Sequence, residues 1–140
     1  MITDSESALK PESRQFWEQG AREAGKDPST MPIGVELFVH VGDEQDARKY
    51  VDLWRFTPKA WTKYVNNPDP RDIERQAKQE IPIEEALKSW KIGSDPQVHV
   101  AALQQLIDGG VTIIFVHSAQ PDQERIIEFY AREVLPKLRR

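Results

Sequence analysis

Two stretches decide what this chain can become. IGVELFVHV (33–41) and VTIIFVH (111–117) are apolar at almost every position rather than at alternate ones. That is the pattern of a strand covered on both faces. Gly42-Asp43 closes the first stretch, and a helical period over 44–55 follows. The second runs through a short turn into an amphipathic helix over 121–138, with Ile126, Tyr130, Val134 and Leu138 on its stripe. A long helical connection joins the two strands, which predicts a parallel β-α-β arrangement with a right-handed crossover. Two strands alone leave apolar faces and open edges, whereas a closed β/α barrel takes eight strands and about 250 residues. The chain has 140. The expectation is therefore an α/β fold: a portion of a TIM-like (β/α)8 barrel, with two parallel strands, surrounding helices and a helical insertion. The closing strand–turn–helix unit ends as a barrel ends, so the portion is read as the C-terminal one.

The remaining segments fill in this plan. Residues 1–10 are polar and are expected to be a disordered leader, leaving 11–140 as one partial barrel domain. Residues 11–24 carry a helical stripe of Phe16, Trp17, Ala21 and Ala24, which Gly25 ends. Residues 56–91 read as a helical insertion without strands. Thr57-Pro58, Asp69-Pro70 and Ile81-Pro82 mark three helix starts, where proline's missing N–H costs nothing. Trp54, Phe56, Trp61, Tyr64 and Trp90 are too much apolar surface for a disordered connector. Ser94-Asp95-Pro96 opens a further helix, and Gly109-Gly110 ends it.

Composition narrows the function classes. A net charge of −4 argues against nucleic-acid or membrane partners held by charge alone. The absence of cysteine removes thiolate metal sites and thiol nucleophiles. The start has no apolar signal core, and no apolar run reaches the ~20 residues of a membrane helix, so the expected location is cytoplasmic. No Gly-rich phosphate loop, HExxH or GxSxG occurs. His40, His99 and His117 are far apart in sequence, so no metal site is expected.

Several residues are candidates for a site, each with a plainer reading beside it. His117 ends the second strand, where β/α barrels build their active sites; otherwise it bonds a neighbouring loop. His40 holds the matching place on the first strand. Strand alternation puts it on one face with Glu36 and Phe38, so Glu36 and His40 either face substrate or plug the barrel interior as a polar pair. Gln120 lies where the last helix opens, and Asp122 and Glu124 in its first turn favour a simple cap over an anion site. Arg55, Lys59 and Lys63 sit near the aromatic residues of the insertion, where they meet an anionic substrate or form solvated surface.

At this point the residues carry a resemblance. GAREAGKDP (20–28), SDPQVHV (94–100), VHSAQPDQ (116–123) and VLPKLR (134–139), in that order, resemble the C-terminal part of luciferase-like flavin- or F420-dependent oxidoreductases. The nearest branch is that of F420-dependent glucose-6-phosphate dehydrogenase. The resemblance implies segments around strands seven and eight of a TIM-like barrel, hydride-transfer or monooxygenase chemistry, and F420 or FMN as cofactor in the complete enzyme. It also implies that the catalytic His and Glu, and most cofactor contacts, come from earlier strands. No catalytic or cofactor-binding residue is therefore carried over, and the chain alone is expected to bind no cofactor and to be inactive. The sugar-phosphate branch holds phosphate with a Lys and an Arg; the Arg position is Ser89 here, and the Lys position falls near Tyr64, beside Lys63. The substrate-facing set is thus Glu36, His40, Lys63, Ser89, His117 and Gln120. The implied partner is an N-terminal barrel half. The rival reading is a non-catalytic half-barrel that pairs with a partner chain or with itself. A standalone enzyme built on His40 and His117 is disfavoured, because two strands give little rigid support to a site.

Overall fold

The computed structural model describes residues 1–139, the side chains of Ile2 and Trp61 excepted. Its centre is β2 (Gly34–His40), to which every other described strand pairs in parallel. β4 (Ile113–Ser118) runs along one edge of β2, matching Gly34 to Ile113 and Val39 to Ser118. β1 (Ile2–Asp4) pairs with Gly34, Val35 and Glu36, and β3 (Trp90–Ile92) with Phe38, Val39 and His40. A strand residue has two edges, and β4 already occupies one. β1 and β3 must therefore share the other, end to end, with a gap at Leu37. The two long strands fall where the apolar stretches predicted them.

Two short strands were not predicted. The leader expected to be disordered instead forms β1 and a helix, α1 (Ser5–Leu9), which Asp4 caps by accepting from the Ser7 N–H at 2.8 Å. The insertion expected to be strandless ends in β3. Both strands are three residues long, below the length at which periodicity is visible, and both are held by the waiting edge of β2.

Helices precede, follow and separate the strands along the chain. α2 (Pro11–Glu23) precedes β2, and α3 (Glu44–Val51) follows it. α4 (Pro70–Glu80) and α5 (Ile83–Lys88) belong to the insertion; α6 (Pro96–Asp108) leads into β4, and α7 (Gln123–Phe129) follows it. Aspartates open most of them: Asp43, Asp69, Asp95 and Asp122 each accept a first-turn N–H. Such caps are worth about 1 kcal/mol each. Val35, Leu37 and Val39 of β2, and Val41 just beyond it, pack with Leu103 and Leu106 of α6, and with Ile126, Tyr130 and Val134 from the closing helical segment. Gly110 joins α6 to β4 at φ +81, a left-handed conformation in which other side chains are strained. The predicted single closing helix is broken: α7 widens into a π-turn (Tyr130–Val134), and Pro136 then imposes a 3-10 turn (Leu135–Lys137).

The opposite sheet face is only partly covered. A second cluster of Ala47, Val51, Ala86, Leu87 and Trp90 packs against Phe38 at the C-terminal end of the strands. Further down, Ile113 is 44% and Phe115 46% exposed, and no described strand pairs with the outer edge of β4. Open, apolar edges of this kind pair with other strands. The isolated chain is therefore expected to self-associate in size-exclusion chromatography with light scattering. Phe115→Lys should shift it towards a single-chain mass. A sharply unfolding monomer of the unsubstituted chain would contradict this.

Candidate functional site

The uncovered face brings two of the six candidate residues together. Glu36 on β2 is in register with Phe115 on β4, and Phe38 with His117. All four side chains therefore point to the same side. His117 Nε2 lies 3.7 Å from Glu36 Oε1, and its ring lies 5.4 Å from that of Phe38. Both partners are about half exposed, so the pair is an accessible donor–acceptor couple on an otherwise apolar floor.

A cleft of about 790 Å³ opens beside it, within the usual range of ligand pockets. Phe38, Trp54 and Phe56 form its aromatic wall, with ring centroids 6.0 and 5.9 Å apart in succession. Glu36 and Ser89 line it too. Ser89 donates from Oγ to the Ala86 carbonyl at 2.7 Å, so its hydroxyl proton is spent inside α5's last turn. Lys88 and Lys91 flank it on the same rim.

The other three candidates do structural work. His40 is 0% exposed, closed in at the end of β2. It stacks on Tyr50 at 5.8 Å, and a methyl group on Gly42 would come within 2.8 Å of its Nε2. The loop folds back over the strand end because Gly42 allows that approach. Gln120 is also buried. Its amide donates to the Val41 carbonyl at 3.1 Å and accepts the Val41 N–H at 2.8 Å, extending the β2–β4 ladder by a side chain. Lys63 pairs with Glu80 in the insertion, next to the Tyr64 hydroxyl, and that bond holds its ammonium above the usual lysine range. Arg55 likewise bonds Asp52 at 2.7 Å and the Ile81 carbonyl at 3.2 Å.

The histidine without a predicted role, His99, is anchored at both ring nitrogens. His99 is buried in α6. Its Nε2 lies 2.9 Å from the Gly93 carbonyl, which can only accept, so Nε2 carries the proton; Nδ1 then accepts from the Tyr130 hydroxyl at 2.8 Å. Its position among apolar neighbours in SDPQVHV was the available signal. Burial pushes the Tyr130 hydroxyl far above the ordinary tyrosine range. Burial also lowers the pKa of His99, and of His40 despite Asp46 Oδ2 at 3.3 Å. Among the described residues no cluster of three metal-ligating side chains occurs, and no helix is long and apolar enough to cross a membrane.

No family model matches the chain. It is 44% identical over 120 residues, 86% of its length, to the F420-dependent hydroxymycolic acid dehydrogenase of Mycobacterium tuberculosis, and covers 32% of that protein. It is 38% identical over 122 residues, again 86% of its length, to an F420-dependent glucose-6-phosphate dehydrogenase of Amycolatopsis mediterranei, covering 36% of it. The chain thus spans about a third of the length of the curated relatives it matches. In fold, 99% of the chain superposes on 42% of an F420-dependent secondary alcohol dehydrogenase solved with an F420–acetone adduct, with a TM-score of 0.80 at 22% identity. The four-stranded piece is accordingly a partial barrel.

Two outcomes follow from this geometry. Both buried histidines have folded-state pKa values below the unfolded value of about 6.5, so the unfolded state takes up protons first. Their contribution to stability is full above pH 6.5 and is lost as pH falls below it. Thermal unfolding is expected to show a midpoint that drops between pH 7.5 and 5, with a smaller drop in His99→Gln. Gln120→Ala removes both bonds to Val41 and is expected to cost about 1–3 kcal/mol in denaturant unfolding.

Proposed function

Because the chain belongs to the F420-dependent, luciferase-like oxidoreductases, we propose that it forms the C-terminal, substrate-facing side of such an enzyme's barrel. The complete barrel would oxidise an alcohol, passing hydride to the deazaflavin. Each named relative is a dehydrogenase, which supports this reading. The observation that carries it is the Glu36–His117 pair, the accessible polar couple where the described strands present their uncovered face.

The residues present do not by themselves fit the cofactor. The uncovered face offers one wall, Ile113, Phe115 and Phe38, whereas a planar ring needs a second. The chain's own contribution is therefore binding. His117, oriented by Glu36, holds the oxygen of a substrate hydroxyl, and the Phe38–Trp54–Phe56 wall packs against the carbon skeleton beside it. The proton acceptor belongs to the rest of the barrel. Ser89 offers one hydroxyl where a phosphate would need a guanidinium fork, so phosphorylated sugars are poor substrates. The reading of the chain as a free-standing half-barrel that pairs with itself rests on the same open β4 edge, and co-expression separates the two.

The chain is to be co-expressed with the N-terminal portion of an F420-dependent relative and assayed for reduction of F420 by secondary alcohols. Activity is expected only in the combined protein, with no preference for glucose 6-phosphate. His117→Ala should lower kcat/KM about ten-fold, equivalent to about 1.4 kcal/mol of lost binding. The chain alone should show no low-micromolar binding of F420 or FMN by fluorescence titration. Tight binding by the lone chain, or an inert combined protein that nonetheless assembles, would sink the proposal.

A further inference from the structure

β2 ends under a loop that closes over a histidine with nothing to bond. His40 is fully buried, and neither of its ring nitrogens has a hydrogen-bond partner among the described residues. Asp46 Oδ2 lies 3.3 Å from Nε2 without the alignment of a hydrogen bond. Burial of this kind suits only the neutral ring. A protonated imidazole carries an N–H on both nitrogens, and a buried charge with an unpaired donor is strongly unfavourable.

The cover over the ring is thin. Gly42 is so close that a methyl group on it would come within 2.8 Å of Nε2. Gly42 and Asp46, the residues against the ring, also line a polar cleft of about 450 Å³ with Asp43, Lys49 and Arg125. Solvent therefore reaches the same two residues that shield the ring. The loop is fastened unequally. Val41 is held by two bonds to the Gln120 amide, and Asp43 stays with α3, whose first turn it caps. Between them the Gly42 N–H donates to the Gly93 carbonyl at 3.2 Å. That carbonyl also accepts from His99 Nε2 at 2.9 Å, so it keeps a partner when Gly42 lets go. The freed Gly42 N–H meets water in the cleft, and lifting Gly42 leaves neither group buried and unpaired.

We propose that Gly42 is the hinge of a proton-operated cover: with His40 neutral the loop is shut, and when the ring takes up a proton Gly42 lifts and opens the end of β2 to solvent. In the shut form burial lowers the pKa of His40, with the Asp46 and Asp43 carboxylates opposing. In the open form it returns to the ordinary value of about 6.5. The cover is therefore shut above that pH and opens as pH falls below it. Each further unit raises the open-to-shut ratio by up to about ten-fold, until the shut ring itself titrates. Asp43, Asp46, Lys49 and Tyr50 face this end from α3, Arg125 from α7 and His99 from α6. Only the two imidazoles ordinarily titrate in this range, and His99, unlike His40, is bonded at both nitrogens. The C-terminal strand ends are where β/α barrels build their sites, so the cover places an acid-sensitive element beside that mouth. It acts in this chain alone and needs no dehydrogenase activity.

The test is hydrogen exchange of the full chain at pH 7.5 and 5.0, read by mass spectrometry and corrected for the pH dependence of exchange itself. Peptides covering 40–46 are expected to lose protection about ten-fold or more at pH 5.0, while those covering 34–39 and 126–134 keep theirs. His40→Gln takes up no proton, so protection of 40–46 should be the same at both pH values. His99→Gln should leave the acid opening in place. Gly42→Ala sets a methyl group against the ring and should hold 40–46 open at both pH values. Equal protection of 40–46 at the two pH values in the unsubstituted chain would overturn the cover. So would acid opening that persists in His40→Gln, or protection lost throughout the chain at once. Should His40→Gln fail to fold, Gly42→Ala decides: a segment still shut at pH 7.5 in that variant overturns the hinge.

Discussion

One strand carries the molecule. The remaining described strands hydrogen-bond to β2 and do not pair with one another. The core on the helical side is built on its Val35, Leu37 and Val39, and the proposed site stands on its Glu36 and Phe38. Period-2 alternation does the sorting: one residue in two goes to the helices, the next to the open face. A one-residue slip of β4 against β2 would move His117 away from Glu36 and would turn Ile114 out of the core. The apolar packing that fixes the fold therefore also fixes the polar pair, and neither can drift without the other.

The same strand explains what could be read from the sequence. IGVELFVHV and VTIIFVH announce themselves because nine and seven residues give periodicity enough signal. β1 and β3 are three residues each, and their existence is a property of β2's free edge rather than of ITD or WKI. Glu36 and His117 were legible as strand positions, but their pairing needed the register. For His40 and Gln120 the choice between a substrate-facing and a structural place was not legible, because it depends on how the loops close over the strand ends. There Gly42 turns the loop back over His40, and the Gln120 amide satisfies Val41, whose backbone groups would otherwise be buried unpaired. His99 could not be ranked above the other histidines until Gly93 and Tyr130 were seen on its two nitrogens.

The uncovered face is a constraint of a different kind. A sheet that exposes Ile113 and Phe115 beside a polar pair is unfavourable in water and favourable against other strands. The helical face, by contrast, is closed by α6 and the π-widened end of α7, so the two faces are at different stages of burial. This asymmetry is what a portion of a barrel must show. Helices cover each strand locally, within its own β/α unit, while the interior is covered only by strands distant in sequence.

With the hub fixed in this way, substrate choice can vary without disturbing it. Lys63 is tied to Glu80 and Arg55 to Asp52 and the Ile81 carbonyl, so the insertion's cations are spent on holding its helices together. The cleft rim retains the carboxylates Asp4, Glu6 and Glu36 against Lys88 and Lys91. A phosphate dianion needs several convergent donors, and a rim with more carboxylates than ammonium groups does not supply them. Ser89 lines the cleft from the end of α5, but its hydroxyl donates to its own turn. On the proposed reading, changing such rim residues would alter which head group is tolerated, while β2, its core partners and the Glu36–His117 register stay as they are.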